Sequence, residues 1–192
     1  EVDALSRLNE AGVRVPDTYC CVDGVLLMEL VSDENGDVAP QLGHVSMSKE
    51  EALKQHKEMM HNIMLMLCAG IIHGDLSEFN VLVDDKGPVI IDLPQAVNAA
   101  ANNSAEAMFA RDVNNMRRYY GEFAPELLHT NYAKEMWALF EEGNLTPNSV
   151  LTGEFEDDEE SADVNAILDE IQAAEDEEKE RLARINFSDD AE

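Results

Sequence analysis

The stretch Ile71–Val97, "IIHGDLSEFNVLVDDKGPVIIDLPQAV", decides the reading of this chain. Short apolar runs of strand character, Ile71–Ile72, Val81–Val83 and Val89–Ile91, alternate with polar bursts that hold His73, Asp75, Glu78, Asn80 and Asp92. A carboxylate removed from water is costly unless it is paired, hydrogen-bonded or on a metal, so the pattern predicts that something is bound here. The turn signal "DDKG" between the second and third runs predicts a β-hairpin. Such a hairpin brings Asn80, at the start of one strand, close to Asp92, at the end of its antiparallel partner. Asp75 lies in the loop just ahead of them.

That combination has a chemistry. Phosphoryl transfer needs a carboxylate to orient the attacking hydroxyl and oxygen ligands to hold Mg²⁺ against a nucleotide's phosphates. The kinase signature H-R-D-L-x-x-x-N, followed by a second Asp, supplies both. His73-Gly74-Asp75-Leu76-Ser77-Glu78-Phe79-Asn80 meets it at every fixed position except that Gly74 replaces the Arg, and Asp92 follows the hairpin. Asp75 is then the candidate base, with Asn80 and Asp92 as candidate Mg²⁺ ligands. His73 reads as a structural histidine. Ser77 and Glu78 are open between touching metal or phosphate and satisfying the loop. The missing Arg is the one that pairs with a phosphorylated activation loop, so that switch is not expected.

Upstream, Val2, Leu5 and Leu8 recur at helical spacing and Gly12 follows as a helix stop. "RVPDTYCCVDGVLLMEL" predicts two strands about Asp23-Gly24, the second of them, Val25–Leu30, apolar enough to be buried. Residues 32–47 read as a loop. Ser48 and Glu51 form a capping-box pattern, and Met59, Ile63, Met66 and Leu67 carry a long buried helix to Ala69 and Gly70. Further helices are predicted from about Ser104 to Tyr120 and from about Asn131 to Glu142. Ala124-Pro125-Glu126 spells the tripeptide that closes an ordinary kinase's activation segment, but a helix fills most of the space before it, so Pro125 is read as opening a helical turn. Residues 154–192 hold 17 acidic and 3 basic side chains. A helical stripe between Ser161 and Ile185 predicts a partly helical acidic extension, either a solvated helix or a docking or autoinhibitory segment.

Composition sets the outer limits. The formal charge of −28 argues against a nucleic-acid backbone or an anionic membrane as the main partner, although it leaves room for a local basic patch. Three cysteines, two of them neighbours, fit a reduced, cytoplasmic chain. No apolar run approaches the ~20 residues of a membrane helix.

"IIHGDLSEFNVLV" with "PVIIDLPQAV" closely resembles the RIO family of atypical serine/threonine protein kinases, nearer to its first subgroup and of a bacterial or archaeal type. The likeness extends through "LSRLNEAGVRVP" and "GVLLMELV" upstream and "ARDVNNMRRYYGEF" downstream. It implies an α+β, protein-kinase-like C-terminal lobe, mostly helical with a small catalytic hairpin, over 32–153. It further implies a remnant of the N-terminal lobe and hinge over 1–31, with the acidic 154–192 outside. It implies ATP with Mg²⁺ or Mn²⁺ as cofactors and an unknown protein as substrate. Asp75 and Asp92 become the catalytic residues, Asp92 also as a transient phosphoryl acceptor, and Asn80 and Asp92 the metal ligands. Met28 becomes the gatekeeper of the adenine pocket, with the Glu29 carbonyl and Val31 N–H reading the adenine edge; the alternative for "GVLLMEL" is a plain core strand. The resemblance links relatives to ribosome maturation, without support here for direct RNA contact. A phosphate loop and strand Lys are absent from the sequence, so an upstream segment is expected, and with it full activity that this chain would show weakly or not at all. Two other readings stand beside this one: a small-molecule phosphotransferase of the aminoglycoside or choline kinase type, and a non-catalytic pseudokinase acting in assembly.

Overall fold

In the computed structural model, which describes residues 2–33 and 35–155, a single long helix organises the rest. This is α2 (Lys49–Cys68). Its start is the expected capping box: the Ser48 hydroxyl accepts from the Glu51 N–H, and the Glu51 carboxylate accepts from the Ser48 N–H. The sequence stripe of Met59, Ile63, Met66 and Leu67 is buried, and so are Met60, Met64 and Leu65. Residues 62–67 of α2 are therefore enclosed on all sides, the condition of a central helix rather than a surface one. It packs against α3 (Ala105–Gly121), α4 (Tyr132–Glu141) and two strands. Methionines fill much of this core, Met116 and Met136 included, and their unbranched thioethers fit gaps that branched side chains would leave.

The remaining elements are small. Helix α1 (Val2–Glu10) buries Leu5 and Leu8 in the same core. Strands β1 (Thr18–Val22) and β2 (Val25–Met28) form the expected hairpin, and positive φ at both Asp23 (52°) and Gly24 (79°) makes its turn the type whose twist suits two-residue connections. The expected burial of β2 is wrong. Val25 is 71% and Leu27 56% exposed, because their face of the two-stranded ribbon has no second layer among the described residues. Only Leu26 reaches the core.

Two more short strand pairings follow. Strand β3 (Ile71–Ile72) pairs antiparallel with β6 (Val97–Asn98), a ladder with no sequence signal of its own. Strands β4 (Val81–Asp84) and β5 (Gly87–Ile90) form the hairpin expected from "DDKG". The loop 32–47 contains a single-turn 3₁₀ helix at Leu42–His44. A five-residue 3₁₀ turn opens at Pro125 as expected, and Glu126 pairs with Lys49 on the surface instead of closing an activation segment. The described chain is thus α+β, with four α-helices and three two-stranded antiparallel sheets. Among its residues no helix is long and apolar enough to cross a membrane. The expected acidic helix lies outside the described residues, apart from the first two positions of that region.

Candidate active site

The two small ladders bracket the polar loop. Strand β3 delivers the chain into residues 73–80, β4 and β5 carry it out and back, and β6 closes the circuit by returning residues 97–98 to β3. The Ala99 N–H donates to the Gly70 carbonyl at 3.0 Å and locks the far end. Beyond the ladder register, the Ile91 N–H donates to the Asn80 carbonyl at 3.0 Å, so Asn80 lies across from the residue that precedes Asp92.

His73 stitches loop to hairpin. It is 2% exposed; its Nδ1 accepts from the Asp75 N–H at 3.3 Å, so the ring proton sits on Nε2, which donates to the Ile91 carbonyl at 2.9 Å. One imidazole thereby joins the backbone of Asp75 to the residue before Asp92. Burial lowers the His73 pKa and keeps the ring neutral, against the pull of the Ile91 carbonyl and of the Asp75 and Asp92 charges. Both carboxylates therefore act on the same ring. The Asn80 amide nitrogen donates to the Asp75 carbonyl at 2.8 Å, which turns Asn80 towards the loop and leaves its oxygen as its remaining ligating atom.

Helix α3 holds what lies on either side of Asp75. The Asp112 carboxylate accepts from the Gly74 N–H at 2.8 Å and from the Leu76 N–H at 3.1 Å. Arg111 donates to the Gly74 carbonyl, and the Asn115 amide donates to the Leu76 carbonyl at 2.9 Å. With the His73 and Asn80 bonds, every backbone polar group of residues 74–76 has a side-chain partner. A loop whose backbone is fully engaged presents the Asp75 side chain from a fixed frame. The expectation of a costly buried carboxylate within 71–97 fails, since Asp75 is half-buried and Asp92 exposed; the buried one is Asp112, 2% exposed and outside that stretch. Burial pushes the Asp112 carboxyl up to about 7 despite its N–H donors and Arg111, and the Asp75 charge adds to the rise.

Sequence reasoning missed Asp112. The signal was available, since Phe109, Asp112, Val113 and Met116 form one buried helical stripe with a carboxylate set into it. Gly74, noted for the Arg it replaces, has a local reason to be Gly. Its φ is +83°, and a Cβ there would stand 2.7 Å from the Gln95 carbonyl oxygen and 2.8 Å from Met108 Cε. Asp92 also has positive φ (64°), an uncommon state for a residue with a side chain.

The hinge candidates lie beside the hairpin. Val31 is buried with Ala39 and Val89 in a small cluster against Leu82, and its carbonyl accepts from the Ala39 N–H at 3.0 Å. Glu29 is tied to Asp17 twice, its N–H donating to the Asp17 carbonyl and its carboxylate accepting from the Asp17 N–H. Met28 is 36% exposed. Among the described residues no three His, Cys, Asp or Glu side chains gather into a metal cage. A pair of oxygen donors such as Asp92 and Asn80 suits a hard cation that completes its shell with water and phosphate.

A model of the RIO domain matches residues 1–133, a span that includes the loop, the hairpin and α3. The chain belongs to the RIO family. A RIO domain has a protein-kinase-like fold, and the four helices with small antiparallel sheets agree with it. Over 120 residues, 60% of this chain and 39% of the relative, the RIO chain is 36% identical to the RIO-type serine/threonine-protein kinase Rio1 of Haloferax volcanii. Over 161 residues, 78% of the chain and 31% of the relative, it is 29% identical to serine/threonine-protein kinase RIO1 of Caenorhabditis elegans. It is 42% identical over 78 residues, 40% of the chain and 28% of the relative, to the RIO-type serine/threonine-protein kinase Rio2 of Methanocaldococcus jannaschii. The RIO chain thus spans between 28% and 39% of the length of these relatives.

Proposed function

We propose that this RIO chain carries the catalytic loop and metal hairpin of an ATP-dependent protein serine/threonine kinase, with ATP and Mg²⁺ or Mn²⁺ as its cofactors. The observation that carries the reading is the double engagement of His73, which fastens the Asp75 backbone to the residue before Asp92. Asp75 orients the substrate hydroxyl and accepts its proton. Asp92 and the Asn80 oxygen would hold the metal, which would supply positive charge to offset the nucleotide's terminal phosphates. The family resemblance adds a second role for Asp92: its carboxylate would take the terminal phosphoryl group from ATP with release of ADP, and water would then hydrolyse the acyl phosphate, which suits a slow ATPase cycle.

In this reading residues 1–31 belong to the N-terminal lobe and hinge, 32–153 to the C-terminal lobe, and 154–192 form an acidic extension. Met28 guards the adenine pocket, while the Glu29 carbonyl and Val31 N–H read the purine edge. The substrate is a protein, and the site of action cytoplasmic. The names of the relatives support kinase chemistry and favour neither the small-molecule phosphotransferase nor the non-catalytic reading.

The test compares ATP turnover and phosphate transfer to protein Ser or Thr for wild type, Asp75→Ala and Asp92→Asn, on this chain and on any longer chain that contains it. Loss of the base should lower turnover by roughly 10²–10⁴. Equal rates in all three proteins would overturn the assignment.

A further inference from the structure

Away from the Asp75 loop, an open cavity of ≈ 550 Å³ lies between the end of α1, one face of α2 and the β4–β5 turn. Helix α2 contributes Lys54, Lys57 and His61, at spacings of three and four that place them on one face. The turn adds Lys86, and the segment after α1 adds Arg14. Ten of the chain's 13 Lys and Arg precede residue 154, and four of those ten line this one cavity. Like charges one helical turn apart repel and weaken a helix, so folding alone gives no reason to collect them.

Their pairing is incomplete. Arg14 is committed to Asp84 by two bonds of 2.9 and 2.7 Å. Lys54 stands 3.9 Å from Glu58. Lys57, His61 and Lys86 are exposed and have no ion pair among the described residues. The free donors are thus ammonium groups, which bind phosphate as compact point charges, while the planar fork that would favour a carboxylate is already taken. The volume falls within the range of small-ligand sites. Size is also set by the charge around the site: in a protein of net charge −28, a long polyanion would lay most of its length against acidic surface. One carboxylate, Glu58, also lines the cavity, against Arg14, Lys54, Lys57 and Lys86, and a ligand that fits within a Debye length of about 8 Å feels chiefly that local excess of cations.

We propose that this cavity binds a compact oligophosphate, either free or as the phosphate tail of a nucleotide. The site is separate from the candidate active site, since Lys86 lies six residues before Asp92, about 20 Å of extended strand. It is nevertheless connected to it. The Arg14 carbonyl accepts from the Ile90 N–H at 2.9 Å, so the wall of the cavity is bonded to the strand that leads to Asp92.

The probe is inorganic tripolyphosphate, titrated calorimetrically into the metal-free, nucleotide-free protein at physiological ionic strength. Saturable binding is expected, with amide shifts in an NMR titration centred on Lys57, His61 and Lys86. The double variant Lys57→Glu/Lys86→Glu should bind at least about tenfold more weakly. The control Lys49→Glu/Lys134→Glu changes the net charge equally and should bind as wild type does. Lys49, Lys57 and Lys86 are exposed and Lys134 is half-buried, and unchanged thermal unfolding verifies that the variants fold. Cavity shifts with ATP stronger than with tripolyphosphate assign a nucleotide tail; equal shifts assign a free oligophosphate. No binding, equal weakening in both double variants, or tighter binding of a polyglutamate peptide at the same residues would overturn the proposal. None of these readouts depends on turnover, so failure here leaves the kinase assignment standing, and the reverse.

Discussion

Replacing Asp112 with Asn separates two opposed forces on the carboxylate that holds the Asp75 loop. Burial raises the folded pKa from 3.8 to about 7, which favours the protonated form, while two backbone N–H donors and Arg111 favour the ionised one. A group whose folded pKa is raised contributes its stability in full below the unfolded pKa and loses it as pH climbs through the folded value. The gap between 3.8 and about 7, at ~1.4 kcal/mol per unit, makes that loss ~4 kcal/mol between roughly pH 4 and 8. Asparagine does not titrate. It keeps one acceptor but turns an NH₂ towards a second N–H, at a cost of about 1–3 kcal/mol at any pH. The two stability curves should therefore cross: Asp112→Asn is the less stable protein near pH 4.5 and the more stable one near about pH 8. Urea unfolding at about pH 4.5, 6 and 8 reads this directly, and the difference between the two proteins cancels the groups they share. A constant deficit in the variant across that range would refute the reasoning. It would mean that the N–H donors and Arg111 outweigh burial and that Asp112 stays ionised throughout.

Three further outcomes are expected. Gly74→Ala should lose about 2–4 kcal/mol, from positive φ and from a Cβ 2.7 Å from the Gln95 oxygen, and an unchanged melting temperature would contradict this. Burial lowers the His56 pKa to about 4, so its neutral ring stabilises the fold fully above 6.5; about 3 kcal/mol should be lost as pH falls from 6.5 towards 4, a limb that His56→Phe should flatten in pH-resolved thermal unfolding. Asn80→Ala removes both an oxygen donor and the bond to the Asp75 carbonyl, and should raise the Mg²⁺ concentration needed for nucleotide binding at least about tenfold, measured by calorimetry with and without metal.

What the sequence determined by itself is local. The capping box at Ser48, the turns at Asp23-Gly24 and "DDKG", the helix ends and the H-G-D-L-x-x-x-N spacing are each specified by neighbouring residues acting within a turn or two, so their physics is present in the order of the residues. The family was legible for the same reason, because its motif is one continuous loop and hairpin. Tertiary structure decided what depends on partners distant in sequence. Asp112 reaches Gly74 across 38 positions, Arg14 reaches Asp84 across 70, and the β3–β6 ladder exists only because the hairpin between its strands folds back. Exposure belongs to the same class. The unbroken apolar run Val25–Met28 looks like a buried strand, but burial requires a second layer, and whether a layer lies above a strand is settled by packing between elements and not by the strand's own composition.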